Sequence, residues 1–137
     1  MDRLRVTIDT HVFEGRFETV AAPKTVAVFR RLLPYVNKVI HVRWSGEGVW
    51  IPLGDLDLNL SYENHTSFPA PGAMIVYPGG ISETEILLAY GGVCFASKVG
   101  QLAGNHFLTI TSDLDKLAAV GRAVLWEGAK TIRIESA

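Results

Sequence analysis

The chain has one cysteine, Cys94, among its 137 residues. A lone thiol cannot close an internal bridge, so no disulfide framework holds this fold; that suits a reducing, cytoplasmic compartment. Val93 and Phe95 flank it, and a thiol in such company is expected to be buried and inert. No apolar run approaches the roughly 18 residues of a membrane span. The opening residues Met1-Asp2-Arg3-Leu4-Arg5 lack the apolar stretch of a signal peptide. Charge of one sign is also missing. The 13 Lys and Arg residues are balanced by 14 Asp and Glu, with no basic run, so neither nucleic acid nor a membrane surface is an expected partner. The histidines His11, His41, His65 and His106 form no compact ligand spacing, and we expect no bound metal and no cofactor. Pro78-Gly79-Gly80 lacks the glycine spacing and the Lys-Ser/Thr of a phosphate loop. Ser45, His41 and Glu47 offer the parts of a triad, but no nucleophile elbow presents the serine.

What is present is apolar residue in the amount a core needs, 48% of the chain. A chain of this length can bury roughly 68–70% of its unfolded surface without a staple, and we read residues 1–137 as a single domain. Leu4, Val6 and Ile8 alternate with polar residues, which predicts a half-buried strand from Arg3 to Ile8. A second strand is expected from Val12 to Phe17, joined through Asp9-Thr10. Ala22 to Leu33 reads as a helix, with Pro23 in its first turn and Pro34 ending it. A strand from Lys38 to Trp44, a turn at Ser45-Gly46-Glu47-Gly48 and a strand from Val49 to Pro52 follow. Leu53 to Pro71 reads as a long excursion of a kind that often carries function. Further strands are expected at Ala73 to Tyr77, Thr84 to Tyr90, Val93 to Ala96, His106 to Ile110 and Thr131 to Glu135. A helix capped by Ser112 and closed by Gly128 carries the stripe Leu114, Leu117, Ala118, Gly121, Val124 and Leu125. Gly121 should mark where it touches the sheet. Many short strands with turn signals and two helices make a mainly β fold, expected to be a closed barrel.

The segment Ala22-Pro23-Lys24-Thr25-Val26-Ala27-Val28-Phe29, following two strands, resembles the opening of cyclophilins. Over nearly the whole chain the sequence is similar to an uncharacterised bacterial family, a domain of unknown function with the cyclophilin-like barrel. The segments that carry this are Arg43-Trp44-Ser45-Gly46-Glu47, Glu63-Asn64-His65-Thr66-Ser67, Tyr77-Pro78-Gly79-Gly80-Ile81-Ser82-Glu83-Thr84-Glu85, Gly104-Asn105-His106-Phe107 and Leu125-Trp126-Glu127-Gly128. The resemblance implies a cyclophilin-like fold and leaves activity open, because one fold hosts many functions. Prolyl isomerases of the cyclophilin family place a Gln-Gly-Gly element after an arginine. Here Arg43 is followed by Trp44-Ser45-Gly46-Glu47, which argues against prolyl isomerisation.

On the expected strand, His41 and Arg43 share a face by the period of two. If that face looks into a barrel mouth, Arg43 can clamp a carboxylate or phosphate with two parallel hydrogen bonds, between aromatic walls supplied by Trp44 and Trp50. His41, Glu47 and His106 are the candidate acid–base groups. Asn64, Tyr77 and Asn105 are candidate ligand contacts. Glu83 and Glu85 share one face of an extended segment, roughly 7 Å apart. The functional expectation is a small anionic metabolite bound in a pocket at the barrel, with hydrolysis of a ureido, lactam or cyclic amide bond as the enzymatic version. The alternative is a non-catalytic interaction domain that works as a homo-oligomer.

Overall fold

The alternation at the amino-terminal end produces β1 (Arg3–Ile8) and, after a two-residue turn at Asp9 and Thr10, β2 (His11–Phe17) in the computed structural model, which describes residues 2–137. Next comes α1 (Pro23–Leu32), one residue shorter at each end than expected. Ala22 gives α1 no side-chain cap. Instead the Glu63 carboxylate, from the long excursion, accepts hydrogen bonds from the Thr25 backbone N–H and the Thr25 hydroxyl, both at 2.6 Å. A remote anion thus satisfies an N–H that the first helical turn leaves open.

The chain continues as β3 (Tyr35–His41), a short 3₁₀ turn (Arg43–Ser45) and β4 (Gly46–Pro52). The expected strand to Trp44 is therefore corrected: it stops at His41, and Arg43 and Trp44 lie on the turn. Two features pin that turn. Gly46 adopts φ 115°, and a Cβ there would lie 2.5 Å from the Gly92 carbonyl oxygen. Ser45 Oγ donates to the Ala96 carbonyl at 3.0 Å and accepts from the Ala96 N–H at 3.1 Å.

The remaining elements are β5 (His65–Thr66), β6 (Ala73–Tyr77), β7 (Glu85–Val93), β8 (Ala96–Ser97), β9 (Gly100–Gln101), β10 (Gly104–Ile110), α2 (Leu114–Glu127) and β11 (Lys130–Ser136). The expected strand from Val93 to Ala96 is split between β7 and β8. Val93 and Phe95 turn inward there, so Cys94 points out and is exposed, not buried. Ser112 does not cap α2: its hydroxyl accepts from the Glu14 N–H at 2.8 Å, and Asp113, at φ 52°, leads into the helix. Gly128 does end α2, donating its N–H to the Val124 carbonyl.

Strands β2-β1-β11-β3-β4-β7-β6-β10 are neighbours in that order, all antiparallel, and β2 pairs with β10 to close an eight-stranded barrel. The edge of β10 is shared. β5 takes Gly104 and Asn105, while β2 takes Leu108 to Ile110, with a register shift against β6 between His106 and Leu108. The interior is filled by inward side chains such as Val6, Phe13, Ile51, Met74, Leu88 and Ile134. Val26 and Phe29 of α1 and Leu117, Val120 and Val124 of α2 belong to the same cluster. A helix can reach the inside of a closed barrel only through an open end. Phe29 stacks on Phe107 and meets Tyr35, at the start of β3, edge to face, whereas Gly121 meets Tyr90 near the end of β7, so the helices cover opposite ends.

A second apolar cluster lies outside the barrel. Trp50, Tyr77, Leu87 and Ala89 point away from the interior, and Phe95 and Leu102, which flank the small β8–β9 hairpin, cover them. Strand β7 is therefore buried on both faces, and its outward residues sit beneath a lid of chain.

Candidate functional site

The outer cluster opens into a cavity of about 440 Å³ lined by Trp44, Trp50, Ser82, Glu83, Glu85, Ser97 and Lys98. Each wall has a local cause. Trp50 on β4 pairs with Leu87, and Glu85 on β7 lies between Pro52 and Tyr77, so Trp50 and Glu85 are diagonal neighbours on one sheet face. Trp44 comes from the 3₁₀ turn and meets Trp50 edge to face, ring centroids 5.7 Å apart. Ser97 and Lys98 come from the β8–β9 hairpin. Tyr77 holds the near rim from below, because its hydroxyl accepts from the Ile81 N–H at 3.0 Å and the Ser82 N–H at 3.4 Å.

Glu85 is the unusual group. It is only 3% exposed, and burial pushes its carboxyl up to about 7, with the nearby Glu83 acting in the same direction. The Trp50 indole N–H opposes the rise, yet it closes no hydrogen bond of normal geometry and is itself buried without a partner. A buried indole donor without a partner of normal geometry and a buried acid thus face one small space, a condition native structures seldom tolerate without a purpose.

A second cleft, about 410 Å³, lies at the α2 end of the barrel and is lined by Arg43, Gly46, Glu47, Tyr90, Arg122, Leu125 and Trp126. His41 stands behind it, its Nε2 hydrogen-bonded to the Tyr90 hydroxyl at 2.7 Å. Burial lowers the pKa of His41, Arg43 lowers it further and Glu47 opposes. Burial also raises that of Tyr90. The pair is therefore neutral at pH 7, with His41 Nδ1 buried and unpartnered.

The sequence-derived candidates divide between these places. Trp44, Trp50, Glu83 and Glu85 line the first cavity; Arg43 and Glu47 line the second, with His41 behind it. The barrel mouth foreseen for Arg43 is closed by α2, and the polar groups gather outside the barrel. His106 lies on β10, four strands from β3 in either direction around the ring. Its Nε2 is 2.8 Å from the Thr109 hydroxyl, which donates to Glu18 at 2.6 Å. Because that hydroxyl has one proton, His106 must be the donor to it. Asn105 is fully buried and braces the excursion, donating to Thr25 Oγ1 and the Ser61 carbonyl and accepting from the Glu63 N–H. Asn64 donates to the His106 carbonyl at 2.8 Å. Ser45 spends its hydroxyl on Ala96, so it does not join His41 and Glu47 in a triad. The described residues contain no cluster of three or more His, Cys, Asp or Glu able to hold a metal. Lys98 and Arg122 were missed because exposed loop and helix positions carry no periodic signal, and Tyr90 because it read as one more apolar strand residue, although Trp126 fell within a resembling segment.

Residues 6–136 match the family described as a protein of unknown function, DUF3830. The chain belongs to this family. Two solved structures share the DUF3830 barrel. The structure of McbB in complex with tryptophan superposes with a TM-score of 0.71 at 16% identity, over 97% of this chain and 44% of that one. This chain thus spans less than half of McbB. The solution structure of the hypothetical protein AF2241 from Archaeoglobus fulgidus superposes with a TM-score of 0.63 at 18% identity, over 99% of this chain and 95% of that one. At such identities the likeness shows the fold alone. No curated protein sequence matches the chain. No helix among the described residues is long and apolar enough to cross a membrane.

Proposed function

We propose that this member of DUF3830, a single cyclophilin-like unit, binds a small planar amine in the cavity between Trp44, Trp50 and Glu85. The observation that carries the reading is Glu85, a carboxyl almost wholly removed from water at the wall of an aromatic cavity. A flat ring laid against the indole pair would bury apolar area at about 25 cal/mol per Å². An ammonium group set against Glu85 and Glu83 would repay the cost of ionising the buried acid. Lys98, which also lines the cavity, gives a carboxylate of the same ligand a partner, so an aromatic amino acid or its amine is the class that uses every group present. That McbB is solved with tryptophan supports a site for such a molecule on this fold.

The test is calorimetric titration with tryptophan, tryptamine and indole-3-acetate. Tryptamine and tryptophan are expected to bind, indole-3-acetate not to, and Glu85→Gln to weaken the two amines at least about tenfold, 1.4 kcal/mol. No saturable heat with either amine, or undiminished binding by Glu85→Gln, would overturn the reading.

The enzymatic version, hydrolysis of a ureido, lactam or cyclic amide bond, is favoured by one observation. A carboxyl titrating at about 7 can both take and give a proton near neutrality. Turnover of hydantoin that disappears in Glu85→Gln would support it; none in the parent protein would remove it.

A further inference from the structure

The cleft at the α2 end shares no lining residue with the Glu85 cavity. Two guanidinium groups reach it from separate elements, Arg43 from the 3₁₀ turn and Arg122 from α2. Neither takes part in any ion pair among the described residues. The one acid in the cleft, Glu47, is partly engaged, because its Oε1 accepts from the Gly92 N–H at 3.0 Å. Positive charge is therefore left over. The Tyr90 hydroxyl, fixed by His41 at 2.7 Å, lines the same cleft. Beside them Trp126 presents a flat indole that is 82% exposed. An exposed tryptophan within a cleft holding two unpaired arginines is a costly arrangement for a surface with nothing to bind.

We infer that this cleft is a second binding site, which takes a small oxyanion bearing a planar apolar group. The oxyanion lies between Arg43 and Arg122, where guanidinium forks can each donate two parallel hydrogen bonds. The planar group lies along Trp126 and Leu125. A carboxylate and a phosphate ester present the same chemistry to these residues.

The experiment is an NMR titration that follows the Trp126 indole N–H, with benzoate, phenyl phosphate, inorganic phosphate and phenol as probes. Benzoate or phenyl phosphate should shift that resonance saturably, inorganic phosphate should bind at least tenfold more weakly than phenyl phosphate, and phenol should have no effect. Arg43→Lys and Arg122→Gln should each weaken the aromatic anion at least tenfold while leaving the rest of the spectrum in place, because both side chains are exposed. Glu85→Gln should leave it unchanged, so this site and the amine site succeed or fail separately. No saturable shift with either aromatic anion, equal shifts with phenol, phosphate binding as tightly as phenyl phosphate, or parent affinity in Arg122→Gln would each overturn the assignment.

Discussion

Glu63 and Glu85 are both carboxylates drawn partly or wholly out of water, and they respond in opposite senses. Burial pushes each upward. At Glu63 the two bonds from Thr25, with help from Lys24, outweigh burial and bring the pKa below its ordinary value. At Glu85 the Trp50 indole alone opposes burial, Glu83 adds to the rise, and the pKa is pushed up to about 7. The signs for stability follow. Glu63 binds its proton less tightly when folded, so its contribution is present above the ordinary carboxylate pKa and is lost as pH falls through the folded value. Glu85 binds its proton more tightly when folded, so its stabilising effect is complete below about pH 4.5 and is lost as pH rises to about 7. The difference corresponds to about 3 kcal/mol. We expect the urea midpoint of Glu85→Gln to exceed that of the parent at pH 8 and the gap to close towards pH 4.5. A gap that does not vary with pH would contradict the burial of Glu85 as a titrating group. Glu63→Ala should cost about 1–2 kcal/mol at pH 7 through loss of the α1 cap, the size of a removed helix cap, again read from urea midpoints. Neither role was legible in the sequence. The spacing of Glu83 and Glu85 showed that they share a face, but only the β8–β9 hairpin, folded over from the far end of β7, decides that Glu85 lies in the dark and Glu83 in water. Likewise Glu63 read as part of a polar loop, because its partner Thr25 is 38 residues away.

At the scale of elements, α2 was the easiest to read, and its contact point was legible to the residue. Gly121 lies on the apolar stripe, and a Cβ there would run into the Tyr90 ring. In a free helix Gly→Ala gains about 1 kcal/mol. Here the added methyl must displace Tyr90, which is tied to His41. We therefore expect Gly121→Leu to destabilise by about 1–3 kcal/mol through overpacking. The same variant should perturb the His41 ring resonances in NMR, which a generic helix defect would leave alone. β1, β2 and α1 were equally legible, since each has a clean period and a turn residue at its end, and β6 was legible as a short apolar run stopped by Pro78-Gly79-Gly80. The 3₁₀ turn was not. His41-Val42-Arg43-Trp44 alternates as a strand should, and the contacts that break it, Gly46 on Gly92 and Ser45 on Ala96, join segments some 50 residues apart. That single misplacement is what merged two sites into one in the sequence reading. Arg43 looked like the clamp of the tryptophan pocket, whereas the turn directs Arg43 to one side and Trp44 to the other.

For the whole molecule, closure decides where chemistry can be. The interior is packed with aliphatic and aromatic side chains and both ends are covered by helices, so any ligand must bind outside the ring, as both cavities do. Closure also fixes a schedule. β1 lies beside β11, with Leu4 opposite Ser136, and the β2–β10 seam joins Gly15 to Ile110 with only three paired positions. Contacts between residues so far apart in the chain carry the loop-closure entropy that slows folding. β1, which carries Leu4, Val6 and Ile8 into the core, lacks one of its two neighbours until residues 130–136 are in place. In pulse-labelled refolding, the β1 amides that donate to β11 should gain protection late, together with those of the β2–β10 seam.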